Sequence, residues 1–280
     1  MNFHLPVFSV FLFAYTFCFA EGDYKVLGAR AAGMGGASVT ISDQWSAGNN
    51  QSGNVWNPGI SCGIFYENRF MASELSCQAL CLTLNGKPGA FSIVCTHFGT
   101  SVYNETKAGC SYSRKFGRQF SSGVQLDYYR IQIADGYGSK NMFNCELGLM
   151  FRPDRHWTAG FQCVNPVPVK IISSADEQLP SYIRLGLSYF YSDALILSAE
   201  IEKDFLNKPT IRIGAEYRFV KTLSARAGIS TAPLQFSLGA GIFYNRFSLD
   251  LASEYHQYLG FSPSISVQYH IRDERKTGIH

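Results

Sequence analysis

Ile211-Arg212-Ile213-Gly214-Ala215-Glu216-Tyr217-Arg218-Phe219 alternates apolar and polar residues without a break. Successive side chains of a β-strand point to opposite faces, so this stretch reads as a strand with one apolar and one polar face. The same period extends in both directions. Ile183, Leu185, Leu187 and Tyr189 alternate with Arg184, Gly186 and Ser188; Leu195, Leu197, Ala199 and Ile201 face away from Ser198, Glu200 and Glu202. Downstream, Leu223-Ala225-Ala227-Ile229, Phe236-Leu238-Ala240-Ile242-Tyr244 and Ile265-Val267-Tyr269-Ile271 repeat it. Turn residues separate the runs: Ser192-Asp193, Asn207-Lys208-Pro209, Thr231-Ala232-Pro233 and Asn245-Arg246. Upstream the alternation is less regular, with Asn85-Gly86 and Pro153-Asp154 as turns. The reading is about fourteen strands, seven between 60 and 164 and seven between 181 and 271, and no helical period.

Composition narrows the class. The 280 residues carry 24 Lys+Arg against 21 Asp+Glu, a formal net charge of +3, and only 16% are charged. Aromatics reach 15%, too high for a disordered chain. A charge of +3 spread over this length is no basic stripe, which argues against nucleic acid as a partner. Mean hydropathy is close to zero, against a bundle of membrane helices. Leu5 to Ala20 is uncharged and apolar, with Cys18 and Ala20 as the small residues before a cleavage site, so residues 1–20 read as a secretory leader. The remaining seven cysteines, an odd number, read chiefly as small buried apolar residues; no metal set has ligand spacing, and no cofactor is expected.

The alternation has to be set against a solvent. A soluble sandwich turns its polar face to water and loads it with Lys and Glu; here that face is mostly Gly, Ser, Gln, Arg and Glu. Fourteen hairpin-linked strands also leave two edges, which closure removes, and in lipid closure is compulsory because no water satisfies an unpaired backbone. The fold expected is all-β: a closed antiparallel transmembrane barrel over 60–271, an N-terminal hatch or plug over 21–59, and a charged tail over 272–280. An even strand number returns both ends to the periplasmic side and puts the long connection after the seventh strand, Asn165 to Pro180, outside. A turn centred on Asp154 sets Phe151 opposite Trp157 and Cys145 opposite Cys163, two cysteines that either bridge across strands or sit as apolar neighbours in lipid.

With the even residues inward, the lumen is lined by Arg184, Glu200, Glu202, Arg212, Glu216, Arg218, Arg226, Asp250, Glu254 and His256. Acid and base alternate between neighbouring strands and would pair laterally. A selective pore would show one sign, so this lining suggests a lumen packed by polar networks or closed by a plug. His256 reads as a network member. The stretch from Gly28 to Ala37 is small and flexible and suits threading a lumen. It is a poor phosphate cradle, since no strand precedes it and no Gly-Lys-Ser/Thr follows. Ser253 and His256, three apart, face opposite sides of a strand, so no catalytic set converges and no enzyme is expected.

The hatch segment also carries a resemblance. Gly28-Ala29-Arg30, Gly33-Met34-Gly35-Gly36-Ala37, Asp43 and Asn57-Pro58 resemble the opening motif of the PorV/PorQ barrels of Bacteroidetes, within the wider FadL-like group. Ile183 to Tyr189, Gly214-Ala215-Glu216-Tyr217, Arg226-Ala227-Gly228 and Leu259-Gly260 are similar to that family's strand phrases. The resemblance implies a fourteen-stranded barrel of the bacterial outer membrane, surrounded by lipid and lipopolysaccharide. It also implies an accessory role in type IX secretion, with another outer-membrane protein such as a translocon subunit or its cargo as partner. The alternative within the same group is a FadL-like channel for small hydrophobic molecules, for which Phe243 and the Leu80-Leu82-Leu84 face are candidate lining.

Overall fold

The computed structural model describes residues 26–134, 138–166, 179, 181–204 and 208–272. The expected leader, most of the long connection after residue 164 and the tail beyond Arg272 lie outside the described residues. Fourteen strands form one closed antiparallel barrel in chain order. They are β1 (Gly59–Asn68), β2 (Ser76–Gly86), β3 (Gly89–Gly99), β4 (Tyr103–Phe116), β5 (Phe120–Ile133), β6 (Gly138–Phe151) and β7 (Trp157–Val164). Then follow β8 (Tyr182–Phe190), β9 (Leu195–Asp204), β10 (Thr210–Val220), β11 (Leu223–Thr231), β12 (Leu234–Tyr244), β13 (Phe247–His256) and β14 (Gly260–Arg272). β14 closes on β1, with Tyr66 opposite Ile265 and Cys62 opposite Tyr269, so no edge is left unpaired.

The alternation places the apolar rows outside. Ile64 is 58% exposed, Leu126 70% and Leu238 69%, whereas the residues between them, such as Ser61, Gln125 and Ser237, are buried. An apolar exterior around a polar interior is the inverse of a water-soluble core and fits a wall wetted by acyl chains. Aromatic side chains gather towards the two strand ends. At the rim where β1 begins and β14 ends, the lower rim, Trp157 packs on Tyr189 at 4.6 Å, Phe247 on Tyr269 at 4.6 Å and Phe91 on Tyr112 at 4.7 Å. At the upper rim Tyr128 meets Phe143 at 5.5 Å and Tyr255 meets Phe261 at 4.9 Å. Leu and Ile fill the band between, the arrangement expected of two interfacial belts around a hydrocarbon layer.

One register differs from the sequence reading. Phe151 lies opposite Ala159, and Cys163 lies opposite Leu147 rather than Cys145. The turn explains it. The Asp154 carboxylate accepts the backbone N–H groups of His156 and Trp157, at 2.7 and 2.9 Å, so the turn centres on residue 155 instead of 154 and the pairing slips by two. Trp157 finds Tyr189 as its aromatic partner instead of Phe151. Cys145 and Cys163 are free thiols, as are the five other cysteines described.

Candidate functional site

The hatch fills the lumen. From Val26 to Pro58 no residue is exposed. A short helix α1 (Ala29–Gly33) lies on β12–β14, a second, α2 (Ser46–Asn49), follows, and a 3-10 turn over Gln51–Trp56 leads into β1. The segment can lie this close because the wall gives way to glycine. A Cβ at Gly214 or Gly228 would collide with the Met34–Gly35 backbone, at Gly160 with Val39, at Gly148 with Asn50 and at Gly123 with the Gln51–Ser52 backbone. Gly214 stands opposite Gly228, Gly160 opposite Gly186 and Gly123 opposite Gly148, so the gaps line up across neighbouring strands. Inside the hatch, Gly35 takes φ +67 against the Ile229 backbone and Gly28 takes φ +93 under the Trp45 ring, both conformations that side chains disfavour.

One flank of the lumen is ionic. Arg30 of α1 forks onto Glu216 of β10, Nε to Oε2 at 2.7 Å and Nη2 to Oε1 at 2.9 Å, and also reaches Asp43 at 3.5 Å. Glu216 receives Arg226 Nε at 2.7 Å as well, and Arg226 Nη1 lies 2.7 Å from Asp250. One strand over, Glu200 Oε2 accepts the backbone N–H groups of Ser38 and Val39, both at 2.8 Å, while its other oxygen faces Arg184 and Arg212 at 3.3 Å each. Arg212 also pairs with Glu202 at 2.7 Å. Arg184 further donates to Gln162, to Ser38 Oγ and to the Asn49 carbonyl. Hatch and wall thus share their charges. Wall carboxylates take hatch donors, and wall arginines take hatch carbonyls and hydroxyls, so the buried charges are compensated partly by wall pairs such as Arg226–Asp250 and Arg212–Glu202 and partly by the hatch.

A second cluster escaped the sequence reading. Lys107 of β4 pairs with Glu146 of β6 and lies 3.5 Å from Asp127 of β5; Glu146 also accepts from Gln51 of the hatch and from Gln162. Gln162 touches both clusters and joins them. The signal was present. Lys107, Asp127 and Glu146 all fall in the inward rows of their strands. The outward rows there carry Cys95, Cys110 and Ala108 in place of the large aliphatics, which blurs the alternation.

The opposite flank is apolar. Leu27, Trp45 and Ala47 of the hatch pack on Phe65 of β1, Cys77, Ala79 and Cys81 of β2 and Val94 of β3. Trp45 meets Phe65 edge-on at 5.7 Å and rests against Gly63. Below this cluster the contacts are neutral: Gln44 to Ser61, Cys81 and Thr83.

The remaining sequence candidates are placed as follows. Gly33 abuts Gly239 of β12, Gly36 lies beside Arg212, and Asn57 sits between Ser61 and His270 at the lower rim, where Pro58 leads into β1. Glu254 is buried in the lumen. Two residues sit at the ends of the lining rows. Arg218 is at the lower rim, over the Phe243 ring at 5.1 Å and 3.9 Å from Glu216. His256 ends β13 at the upper rim, where its Nδ1 accepts the N–H groups of Tyr258 and Leu259 and holds the turn into β14. Both lie at strand ends; His256 makes its hydrogen bonds within its own turn, while Arg218 still reaches Glu216. Leu80, Leu82 and Leu84 face lipid rather than the lumen, because Cys77, Ala79, Cys81 and Thr83 are the inward row of β2.

No family model and no curated protein sequence matches the chain. Solved structures do. The barrel is similar to a FadL homologue of Pseudomonas aeruginosa, with TM-score 0.68 and 12% identity over 87% of this chain and 98% of that one. It is similar to the CymD monoaromatic hydrocarbon channel, with TM-score 0.69 and 13% identity over 89% and 98%. It is also similar to the toluene transporter TbuX of Ralstonia pickettii, with TM-score 0.70 and 11% identity over 89% and 99%. The likeness is one of fold, a fourteen-stranded barrel of the FadL type.

Proposed function

We propose that the protein is an outer-membrane channel that passes small hydrophobic molecules and is closed at rest by its hatch. The observation that carries this is the division of the lumen. A hydrophobic solute cannot displace the Arg30–Glu216–Arg226 contacts without stranding buried charge. The Leu27–Trp45–Phe65–Val94 flank offers an apolar surface, along which only dispersion contacts and area need be exchanged. The shared fold with monoaromatic hydrocarbon channels supports the same reading. The lower rim, with both strand ends, is then periplasmic, and the apolar band meets phospholipid below and lipopolysaccharide above. The test is entry of a hydrophobic fluorescent probe, N-phenylnaphthylamine, into cells with a lipopolysaccharide outer leaflet. Expression of the protein raises the entry rate, and Trp45→Ala raises it further. Entry equal to that of cells without the protein, for both forms, overturns the reading.

The hatch motif favours a second reading, an accessory subunit of protein export resembling PorV/PorQ. Gly28, Arg30, Gly33, Gly35, Gly36 and Asp43 are spent on seating the hatch, which suits a barrel that never opens and works as a scaffold. Co-purification in mild detergent, with a second outer-membrane protein held in fixed ratio, would favour it. A barrel that purifies alone while admitting the probe excludes it.

A further inference from the structure

Two cations meet one aromatic ring at the foot of the hatch, and neither pairs with an acid among the described residues. Trp56 closes the 3-10 turn, its indole Nε1 donating to Ser121 Oγ at 2.8 Å. Lys115 Nζ lies 4.0 Å from the centroid of that ring and the guanidinium carbon of Arg152 4.3 Å. One terminal nitrogen of Arg152 donates to Ser42 Oγ at 2.6 Å, so the same side chain holds the hatch at residue 42 and at residue 56. Its Nε is buried and donates to no protein acceptor among the described residues. The neighbouring acids are engaged elsewhere. Asp154 accepts the backbone of its own turn, and Asp43, beside Ser42, faces Arg30. Burial pushes the Arg152 pKa down to about 10, so the group stays charged at neutral pH. Arg114, Arg118 and Arg155, all exposed, stand at the ends of the same two hairpins and make the local field positive.

A desolvated guanidinium with an unused donor is costly, and a second cation against the same ring adds repulsion. A single oxyanion relieves both, because it neutralises Arg152 and Lys115 together and, once the Arg152 side chain shifts to uncover its Nε, accepts from that donor. We propose that the lower rim carries an oxyanion-binding site, built from Arg152 and Lys115 against Trp56, that takes a carboxylate or phosphate group. Lys115 continues the inward row Gly109-Ser111-Ser113, and Arg152 the inward row Glu146-Gly148-Met150, so both open to the aqueous mouth and not to the lipid face. The ligand is therefore a water-borne anion rather than a lipid headgroup. Because Arg152 grips the hatch at two points, filling the site tightens the hatch, and the resting closure depends on the anion.

The test uses the full-length barrel in neutral detergent. Sodium phosphate, and separately sodium acetate, replaces sodium chloride at constant ionic strength, while tryptophan emission and thermal unfolding are followed. A saturable emission change with either soluble anion is expected, absent in Trp56→Phe, together with a rise in unfolding temperature that saturates in step. Arg152→Met shifts the half-point by about tenfold or more, the loss expected when a charge-assisted hydrogen bond is removed. Lys115→Met, an exposed side chain whose removal leaves the Ser42 contact intact, shifts it less and keeps the test open if Arg152→Met does not fold. Arg155→Met, which removes only part of the screened surface field, shifts the half-point by less than about twofold. A non-saturating response, or wild-type binding in folded Lys115→Met, overturns the site. Saturation by phosphatidylglycerol in mixed micelles but by neither soluble anion overturns the aqueous source.

Discussion

The two flanks of the lumen are built on the same alternating strands and hold the same hatch by opposite means. On the β8–β13 side, Glu200, Glu216 and Asp250 hold guanidinium groups from wall and hatch, and the hatch backbone donates to Glu200 directly. On the β1–β3 side, Trp45 and Leu27 pack on Phe65, Cys81 and Val94 with no ion pair in the cluster. The ionic flank is directional and unforgiving, since a charge displaced there has no water to retreat to. The apolar flank depends on area and tolerates a sliding surface or a guest. If the hatch moves as the proposed channel requires, the apolar contacts with β1–β3 are the ones that can part without stranding charge.

The comparison breaks most visibly at Glu216. Its removal leaves Arg30 with only the 3.5 Å contact to Asp43 and takes the Nε partner from Arg226. Glu216→Ala should destabilise the hatch-closed barrel by about 3–5 kcal/mol, the usual result of stripping one partner from a buried ionic group. Urea unfolding reads the loss, and limited proteolysis shows cleavage between residues 26 and 41. Cleavage no faster than in the parent would mean that the apolar flank alone seats the hatch.

The counterpart is Trp45→Ala, which empties the apolar flank of a fully buried ring. It costs about 3 kcal/mol, at the lower end for a buried tryptophan because no charge is left unpaired. Its signature differs from that of Glu216→Ala: entry of a hydrophobic probe rises while residues 26–41 stay protected. Equal effects of the two substitutions on both readouts would erase the distinction between the flanks.

The ionic flank was legible and the apolar one was not, for a physical reason. In β8 to β13 each strand sets Leu, Ile or Tyr outward against Arg, Glu or Gly inward, so the period names both faces. In β1 to β3 the inward row is itself partly apolar, with Phe65, Cys77, Ala79 and Val94, and alternation says nothing about which apolar row meets lipid. The pattern alone therefore leaves the Leu80-Leu82-Leu84 row as candidate lining, although it meets lipid. The hatch was legible as a segment that cannot face lipid. Its seating was not, because the contacts are made by wall glycines, whose only message is the absence of a side chain.

Those glycines allow a finer cut. Gly228 faces the Met34–Gly35 backbone on the ionic flank, and a side chain there has nowhere to go. Gly228→Val should cost about 1–3 kcal/mol as overpacking, and it should do so by lifting the hatch rather than by breaking the wall. Proteolysis of residues 26–41 then accelerates as in Glu216→Ala, while the folded barrel keeps its heat-modifiable migration on gels. Gly239→Ala, whose Cβ would sit 3.1 Å from Gly33 Cα, should show the same effect in weaker form.

The smallest effect is expected outside the lumen, at Cys145 and Cys163. Sequence symmetry about Asp154 sets them face to face, and a disulfide there would lock β6 to β7. The observed pairing sets Cys163 opposite Leu147, while the Cys145 carbonyl accepts the backbone N–H of Asn165 at 3.0 Å. The two cysteines are thus diagonal, two residues out of step, and both are free thiols. Strand pairs at that offset lie roughly 7–8 Å apart, beyond the reach of a disulfide without backbone movement. Reductant should therefore leave the urea midpoint of the parent unchanged, and Cys145→Ala with Cys163→Ala should leave it within about 0.5 kcal/mol, as for other substitutions away from any packed or paired group. A midpoint that falls with reductant in the parent but not in the double variant would restore the symmetrical register. It would also move every inward residue of β7 by two positions along the lumen, separating Gln162 from Arg184 and Glu146 and cutting the link between the two ionic clusters.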